Sequence, residues 1–170
     1  MPKDIFDILK GMDIPTPLRI CAGTDGSVTY LLELLTKAQV EVVTQSQVVK
    51  EATHKEAETL MIEPGSLVNH REVLLIANNI SYVYARSLTP IDPLPLKVKG
   101  DLMQADIPIG GILRKYKLET RRDILKIETK KGSGLFNGIN VISREYVIIH
   151  SGKILMWINE QFPIDNRWKL

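Results

Sequence analysis

The stretch that decides the fold is REVLLIANNISYVYARSLTPID (residues 71–92), which returns 73 residues later as REYVIIHSGKILMWINEQFPID (residues 144–165). The two copies align without a gap over 22 residues and share the Arg-Glu start and the Pro-Ile-Asp end. Each copy has a two-residue polar turn, Asn78-Asn79 or Ser151-Gly152, between arms rich in β-branched, aliphatic and aromatic residues. Such a turn between apolar arms is a strong β-hairpin signal. The sequence therefore predicts a duplicated hairpin, not a solenoid array, because there are only two copies.

The segments around the hairpins predict further strands and short helices. Strands are expected at residues 40–49, 121–129 and 135–141, and helices at residues 5–9 and 28–35. The first helix is expected to end at Gly11 and the Pro15/Pro17 pair. Residues 50–58 are interpreted as helix or loop, and residues 94–117, with mixed periodicity and several prolines and glycines, as short helices or a flap. The sum is an α+β fold: a single antiparallel sheet of about six strands with helices packed on one face and a helical flap over a buried pocket. We expect one domain over residues 1–170.

The composition argues against a disulfide-rich, zinc-binding, secreted or membrane-spanning protein. The 170 residues are enough for one domain with a substantial core. The lone Cys21 excludes a disulfide within the chain, and the three histidines lack the spacing of a zinc site. The N-terminal segment has no long hydrophobic stretch, which argues against a signal peptide or a membrane span. The expectation is a cytoplasmic protein that needs no metal or cofactor and does not bind a membrane.

The basic residues are clustered although the net charge is only +2. Residues 114–131 contain eight lysines or arginines against three acidic residues. Three interpretations stay open: a solvated face, a cationic lip over an anion-binding pocket, and a nucleic-acid surface. Nucleic-acid modules usually add interleaved aromatic residues or a glycine fingerprint, and Tyr116 is the only aromatic residue here. The preferred partner is therefore a small anion and not a nucleic acid.

The hairpin pattern places charged residues on one face of the sheet. With Asn78-Asn79 as the turn, Arg71 lies opposite Arg86, and two guanidinium groups so placed repel unless an anion lies between them. In the second hairpin, Glu160 is the one carboxylate in an otherwise apolar row. A buried carboxylate must be paired, hydrogen-bonded or protonated. The residues alone leave two hypotheses for Arg71 and Glu160: an internal salt bridge, or a pocket in which Arg71 clamps the carboxylate of a small ligand.

Four pieces of the sequence, in order, resemble the chorismate pyruvate-lyase family. They are GSVT at residues 26–29, the first hairpin at residues 70–90, IPIG at residues 107–110 and SGKILMWINEQFP at residues 151–163. The chain is closer to the short archaeal and actinobacterial branch of that superfamily. The resemblance implies ligand contacts at Arg71, at Glu160 and at the main chain of Val28 and Ile109. Arg86 and Gly110 are added as expected walls of the pocket.

The resemblance also implies a reaction. Members of this family convert chorismate to 4-hydroxybenzoate and pyruvate, and aromatisation of the ring drives the reaction without a metal or redox cofactor. Arg71 and Glu160 are then the expected catalytic residues, with Glu160 as acceptor from the ring hydroxyl or as a proton donor to the ether oxygen. The flap over the pocket is expected to exclude water.

A second resemblance gives an alternative function. The ending YARSLTP at residues 84–90 is similar to the UTRA effector-sensing domain of GntR-type regulators, which shares the fold and binds effectors without turning them over. The 25 residues before Gly26 are too few for a winged-helix DNA-binding segment, which favours the lyase branch. A stand-alone sensor or carrier of small aromatic acids stays open as the alternative.

Overall fold

The computed structural model describes residues 4–92, 95–103 and 109–170. The helices there are α1 to α6 and two short 3-10 helices: α1 Ile5–Lys10, α2 Thr16–Gly23, α3 Val28–Thr36, α4 His54–Leu60, α5 Leu96–Met103, α6 Ile109–Lys115, η1 Gly134–Phe136 and η2 Asn166–Trp168. Helix α2 was not predicted, because Pro15 and Pro17 were interpreted as helix breakers. Pro17 instead lies in the first turn of α2, where proline needs no hydrogen-bonded N–H.

Six strands of equal length form one antiparallel sheet. They are β1 Glu41–Glu51, β2 Leu67–Ala77, β3 Ile80–Pro90, β4 Arg121–Lys131, β5 Asn140–His150 and β6 Lys153–Pro163, in the spatial order β1-β2-β3-β6-β5-β4. The predicted α+β class with a single sheet of about six strands is confirmed. The predicted strand at residues 135–141 is wrong in its first half, where η1 and a turn precede β5.

The two copies of the sequence repeat form two equivalent hairpins in the sheet. Strands β2 and β3 form the first hairpin and β5 and β6 the second, and the two hairpins meet along β3 and β6. Each hairpin has a β-bulge two or three residues from its turn: Tyr82 is the extra residue in β3, and Leu155 in β6. A bulge shifts the register of every pair beyond it by one residue. The predicted opposition of Arg71 and Arg86 is therefore wrong, since Arg71 pairs with Ser87.

Arg86 consequently lies on the other face of the sheet. It pairs in register with Glu72, and its Nε lies 3.7 Å from the Glu72 carboxylate, with half of the Arg86 side chain exposed. The charge of Arg86 is therefore paired with the Glu72 carboxylate at the surface of the protein. Arg86 is thus removed from the walls of the pocket.

The main core lies between the sheet and the N-terminal helices. Buried residues of α1, α2 and α3 pack there against the sheet, among them Leu9, Leu18 and Leu32. Trp168 is buried in the same core, where its ring lies edge-on to Tyr82. Helices α5 and α6 contribute Val98, Ile112 and Leu113 to a second cluster, together with residues of β5 and β6. Helix α4 packs on the opposite face, against Val68 and Leu88. No helix in the described ranges has both the length and the apolar character that a membrane span requires.

Candidate functional site

An inner cavity of about 60 Å³ lies between the sheet and the ends of α3 and α6. Strand residues form the floor of the cavity. Residues that lie directly opposite each other on neighbouring strands point their side chains to the same face of the sheet. Its apolar lining is Val28, Val42, Val73, Leu75, Ala85 and Ile158. Its polar and charged lining includes Ser27, Arg71, Ser87, Arg122, Tyr146 and Glu160.

Four of the residues expected at the site meet at this cavity. Arg71 and Glu160 come from the two hairpins, Val28 from the first turn of α3, and Gly110 from α6. Ile109 is the first residue of α6, and the preceding Ile107 and Pro108 lie outside the described residues. Arg86 lies elsewhere, on the opposite face. The cavity therefore brings together a guanidinium group, a carboxylate and the ends of two helices.

Two adjacent rows of side chains cross the floor of the cavity. In the first row, Arg71 lies opposite Ser87, and Ser87 lies opposite Ile158 on β6. In the second row, Glu160 lies between Ala85 on β3 and Arg144 on β5. The offset of 73 residues relates these positions, so Arg144 is the counterpart of Arg71 and Glu160 is the counterpart of Ser87. One half of the repeat thus carries an arginine and a carboxylate, and the other half carries an arginine and a serine.

Arg144 is the internal partner of Glu160. Its guanidinium is fully buried, and its Nε donates to Glu160 Oε2 at 2.7 Å. Its Nη1 donates to the carbonyls of Ala22 and Thr24, at 3.0 and 2.6 Å, where α2 ends. Burial acts to lower the pKa of Arg144, but the negative charge of Glu160, the proximity of Tyr146 and the hydrogen bond to Glu160 together outweigh it, and the pKa is raised. Arg144 is therefore a permanent cation that ties Glu160 to the end of α2.

Tyr146 holds the second oxygen of the same carboxylate. Its hydroxyl donates to Glu160 Oε1 at 2.9 Å. Burial and the charge of Glu160 raise the pKa of Tyr146, so the phenol keeps its proton and remains a donor. Both oxygens of Glu160 thus accept hydrogen bonds inside the protein. Two donors therefore fix the orientation of this carboxylate at the cavity.

The first turn of α3 lies at the cavity, where Ser27, Val28 and Thr29 are lining residues. The first N–H groups of an α-helix have no intrahelical acceptor, and the helix dipole makes this end favourable for an anion. Ser27 is the N-cap, and its hydroxyl accepts from the amide of Tyr30. Helix α6 closes over this turn at Gly110, where an added Cβ would lie 3.2 Å from the Ser27 hydroxyl oxygen. A glycine at this position allows the two helices to approach.

Arg122, Arg144 and Tyr146 were not singled out from the sequence. The repeat carried the signal for Arg144, since it begins the second copy as Arg71 begins the first. Arg122 belonged to the basic run, whose interpretation as a cationic lip was one of three. Its position on the cavity face follows from its pairing with Ile148, two residues along β5 from Tyr146. The alternating pattern of one strand divides its side chains between two faces. Only the pairing register with β5 shows which of these faces carries the cavity.

Comparison with known proteins agrees with this architecture. The family model "Chorismate pyruvate-lyase Rv2949c-like" matches residues 23–169. "Putative lyase MJ0807" of Methanocaldococcus jannaschii is 37% identical, over 95% of this chain and 86% of that protein. The "Chorismate pyruvate-lyase" of Mycobacterium tuberculosis strain H37Rv is 26% identical, over 85% of this chain and 78% of that protein.

Solved structures share the fold at low sequence identity. The effector domain of PhnF from Mycobacterium smegmatis superposes with a TM-score of 0.65 at 12% identity, covering 81% of this chain and 88% of that domain. A GntR-family regulator from Bacillus cereus superposes with a TM-score of 0.58 at 18% identity, covering 73% of this chain and 91% of that one. These likenesses show the fold alone. The family match and the 37% identical relative establish the family: the chain belongs to the Rv2949c-like chorismate pyruvate-lyase family.

Proposed function

We propose that this protein is a chorismate pyruvate-lyase that needs no cofactor and releases 4-hydroxybenzoate and pyruvate. The observation that carries the proposal is the inner cavity, where Arg71 faces a carboxylate that the protein itself holds in place. A ring acid with a hydroxyl group matches this pair, because its carboxylate fits the guanidinium and its hydroxyl fits Glu160. The family relatives include proteins named for this reaction.

Arg71 is the proposed anchor for the ring carboxylate. The other half of the repeat supports this role, since Arg144 at the equivalent position binds the carboxylate of Glu160. Opposite Arg71 the chain carries Ser87, a shorter and uncharged residue. The ligand carboxylate would take the place that Glu160 occupies in the second hairpin. The main-chain amides at the start of α3 and α6, at Val28 and Ile109, would complete its hydrogen bonds.

Glu160 is the proposed acceptor for the ring hydroxyl. In the reaction, the ether C–O bond breaks and its electron pair leaves with the enolpyruvate. The ring carbon that bears the hydroxyl loses its hydrogen as a proton, and the enolpyruvate gains one proton to become pyruvate. A hydrogen bond from the hydroxyl to Glu160 increases the electron density on the ring as it becomes aromatic. Because Arg144 and Tyr146 already donate to Glu160, no reorganisation is needed during the reaction.

The test is incubation with purified chorismate. We expect the ultraviolet absorption of 4-hydroxybenzoate to rise while pyruvate, measured with lactate dehydrogenase and NADH, forms in equal amount. A sample without protein corrects for spontaneous breakdown. Arg71→Gln should lower kcat/KM by roughly 100-fold or more, because charge-assisted hydrogen bonds to the carboxylate are lost. The matched control is Arg86→Gln, the same change on the opposite face of the same hairpin, and it should keep the activity of the wild type.

The alternative is a ligand-binding domain without turnover. The structural likeness to the PhnF effector domain favours it as the second candidate. In that case chorismate would give no aromatic product, yet 4-hydroxybenzoate would raise the melting temperature of the protein. Equal activity of Arg71→Gln and Arg86→Gln would instead contradict the proposed site.

A further inference from the structure

Arg122 lies at the junction of two openings in the structure. It lines the inner cavity, and it also lines an outer cleft of about 470 Å³. The cleft shares Ser27 and Gly110 with the cavity and continues past Arg114 and Lys117, which are exposed. The Arg122 side chain is half-buried, and its Nε is enclosed without a hydrogen-bond partner among the described residues. A donor so placed is available to a ligand that spans both openings.

The charge of Arg122 has no counter-ion among the described residues of the cavity lining. The one carboxylate there is Glu160, and its charge is already matched by the buried Arg144 behind it. A partly desolvated guanidinium favours a ligand carboxylate, because its charge then gains a partner of opposite sign. A substrate with a second carboxylate can provide that partner.

We propose that Arg122 binds the second carboxylate of a dianionic substrate, the one on the enolpyruvyl group. This inference rests on the proposed function and deepens it. Arg71 and Glu160 then hold the ring, which substrate and aromatic product share, while Arg122 contacts only the part that leaves. Arg122 is thus the residue that distinguishes the dianionic substrate from the monoanionic product. The exposed Arg114 and Lys117 extend the same positive charge toward solvent.

The experiment compares two ligands in two variants. Arg122→Gln removes the charge, and the matched control Arg121→Gln removes the neighbouring charge, which is 69% exposed and paired with Asp123. For each protein, kcat and KM are measured with chorismate, and the dissociation constant is measured with 4-hydroxybenzoate. We expect Arg122→Gln to raise KM for chorismate by roughly 10- to 100-fold and to change the affinity for 4-hydroxybenzoate less than about twofold. Arg122→Lys should recover part of the loss, and Arg121→Gln should match the wild type.

Two results would overturn the inference. One is a parallel loss of affinity for both ligands in Arg122→Gln, which would mean that Arg122 acts on the ring or on the fold. The other is an unchanged KM. If the wild type binds chorismate without turning it over, the lyase proposal fails by itself. The same comparison is then made from chorismate dissociation constants, and a selective loss in Arg122→Gln would still support the role of Arg122. If the wild type does not bind chorismate, both proposals fail.

Discussion

Removing the charge of Glu160 should destabilise the folded protein as well as disable the site. In Glu160→Gln the buried Arg144 loses its counter-ion and keeps only neutral acceptors, among them the Ala22 and Thr24 carbonyls. Breaking a buried ion pair on one side costs about 3–5 kcal/mol, since an uncompensated charge remains inside the protein. Arg144→Met should cost a similar amount, because Glu160 is itself buried. For a domain of this size, 3–5 kcal/mol corresponds to a decrease of about 6–20 °C in Tm.

The double variant separates the ion pair from other effects. Arg144→Met with Glu160→Gln removes both charges, so the remaining cost is about 1–3 kcal/mol for carbonyls that lose their donor. The free energies of unfolding from urea titrations therefore should not add, and the coupling energy should be at least about 3 kcal/mol. The matched control is the cross-strand pair Glu72–Arg86, whose side chains are 38% and 51% exposed. Its coupling energy should stay below about 1 kcal/mol.

The urea titrations can refute this reasoning directly. If each single variant at Arg144 or Glu160 costs less than about 1 kcal/mol, the guanidinium is better solvated than its burial indicates. If the double variant equals the sum of the single ones, the two side chains do not depend on each other. Either outcome would remove the argument that Glu160 is held in place for a ligand. For activity measurements, a loss in Glu160→Gln is interpreted only at a temperature where that variant is shown to be folded.

Two further predictions concern Ser87 and Cys21. Ser87→Glu should place a carboxylate opposite Arg71, as Glu160 lies opposite Arg144, and so abolish ligand binding measured by thermal shift. The variant Ser87→Gln has a side chain of equal size without the charge, so it should be less stable than Ser87→Glu. Equal stability of the two variants would contradict the pairing with Arg71. Burial, chiefly, raises the pKa of the Cys21 thiol from 9.0 to about 12, so its contribution to stability is complete below pH 9.0 and is lost as the pH rises toward 12. At pH 8 the folded protein should react with a disulfide reagent roughly 1,000-fold more slowly than the urea-unfolded chain, and comparable rates would show that the thiol is not buried.

A lyase and a ligand-sensing domain place different demands on the same fold. A GntR-type effector domain needs only a pocket that responds to its ligand, whereas a lyase must also orient two bonds that break. The fixed geometry of Glu160, with donors on both of its oxygens, suits the second task. This is the reason to measure turnover before binding.

Much of the fold could be predicted from the sequence because its determinants are local. A two-residue turn between alternating apolar arms specifies a hairpin in both copies, whichever residues surround it. The same alternation identified Arg71 and Glu160 as residues of one face, and the structure brings them to one cavity. Helix α2 was missed because a proline in the first turn of a helix and a proline that ends one look alike in sequence.

What only the tertiary structure decided is which charged side chains meet. The bulge at Tyr82 is invisible in the alternating pattern, yet it shifts the register by one residue and moves Arg86 to the outer face. Arg122 enters the cavity only because β4 pairs with β5 in one register. Register and strand order depend on contacts between residues far apart in the chain, which no local pattern encodes. The sequence by itself thus determined the two hairpins and the arginine that begins each one, and the packed sheet determined that Arg144 pairs with Glu160 and that Arg71 lines the cavity.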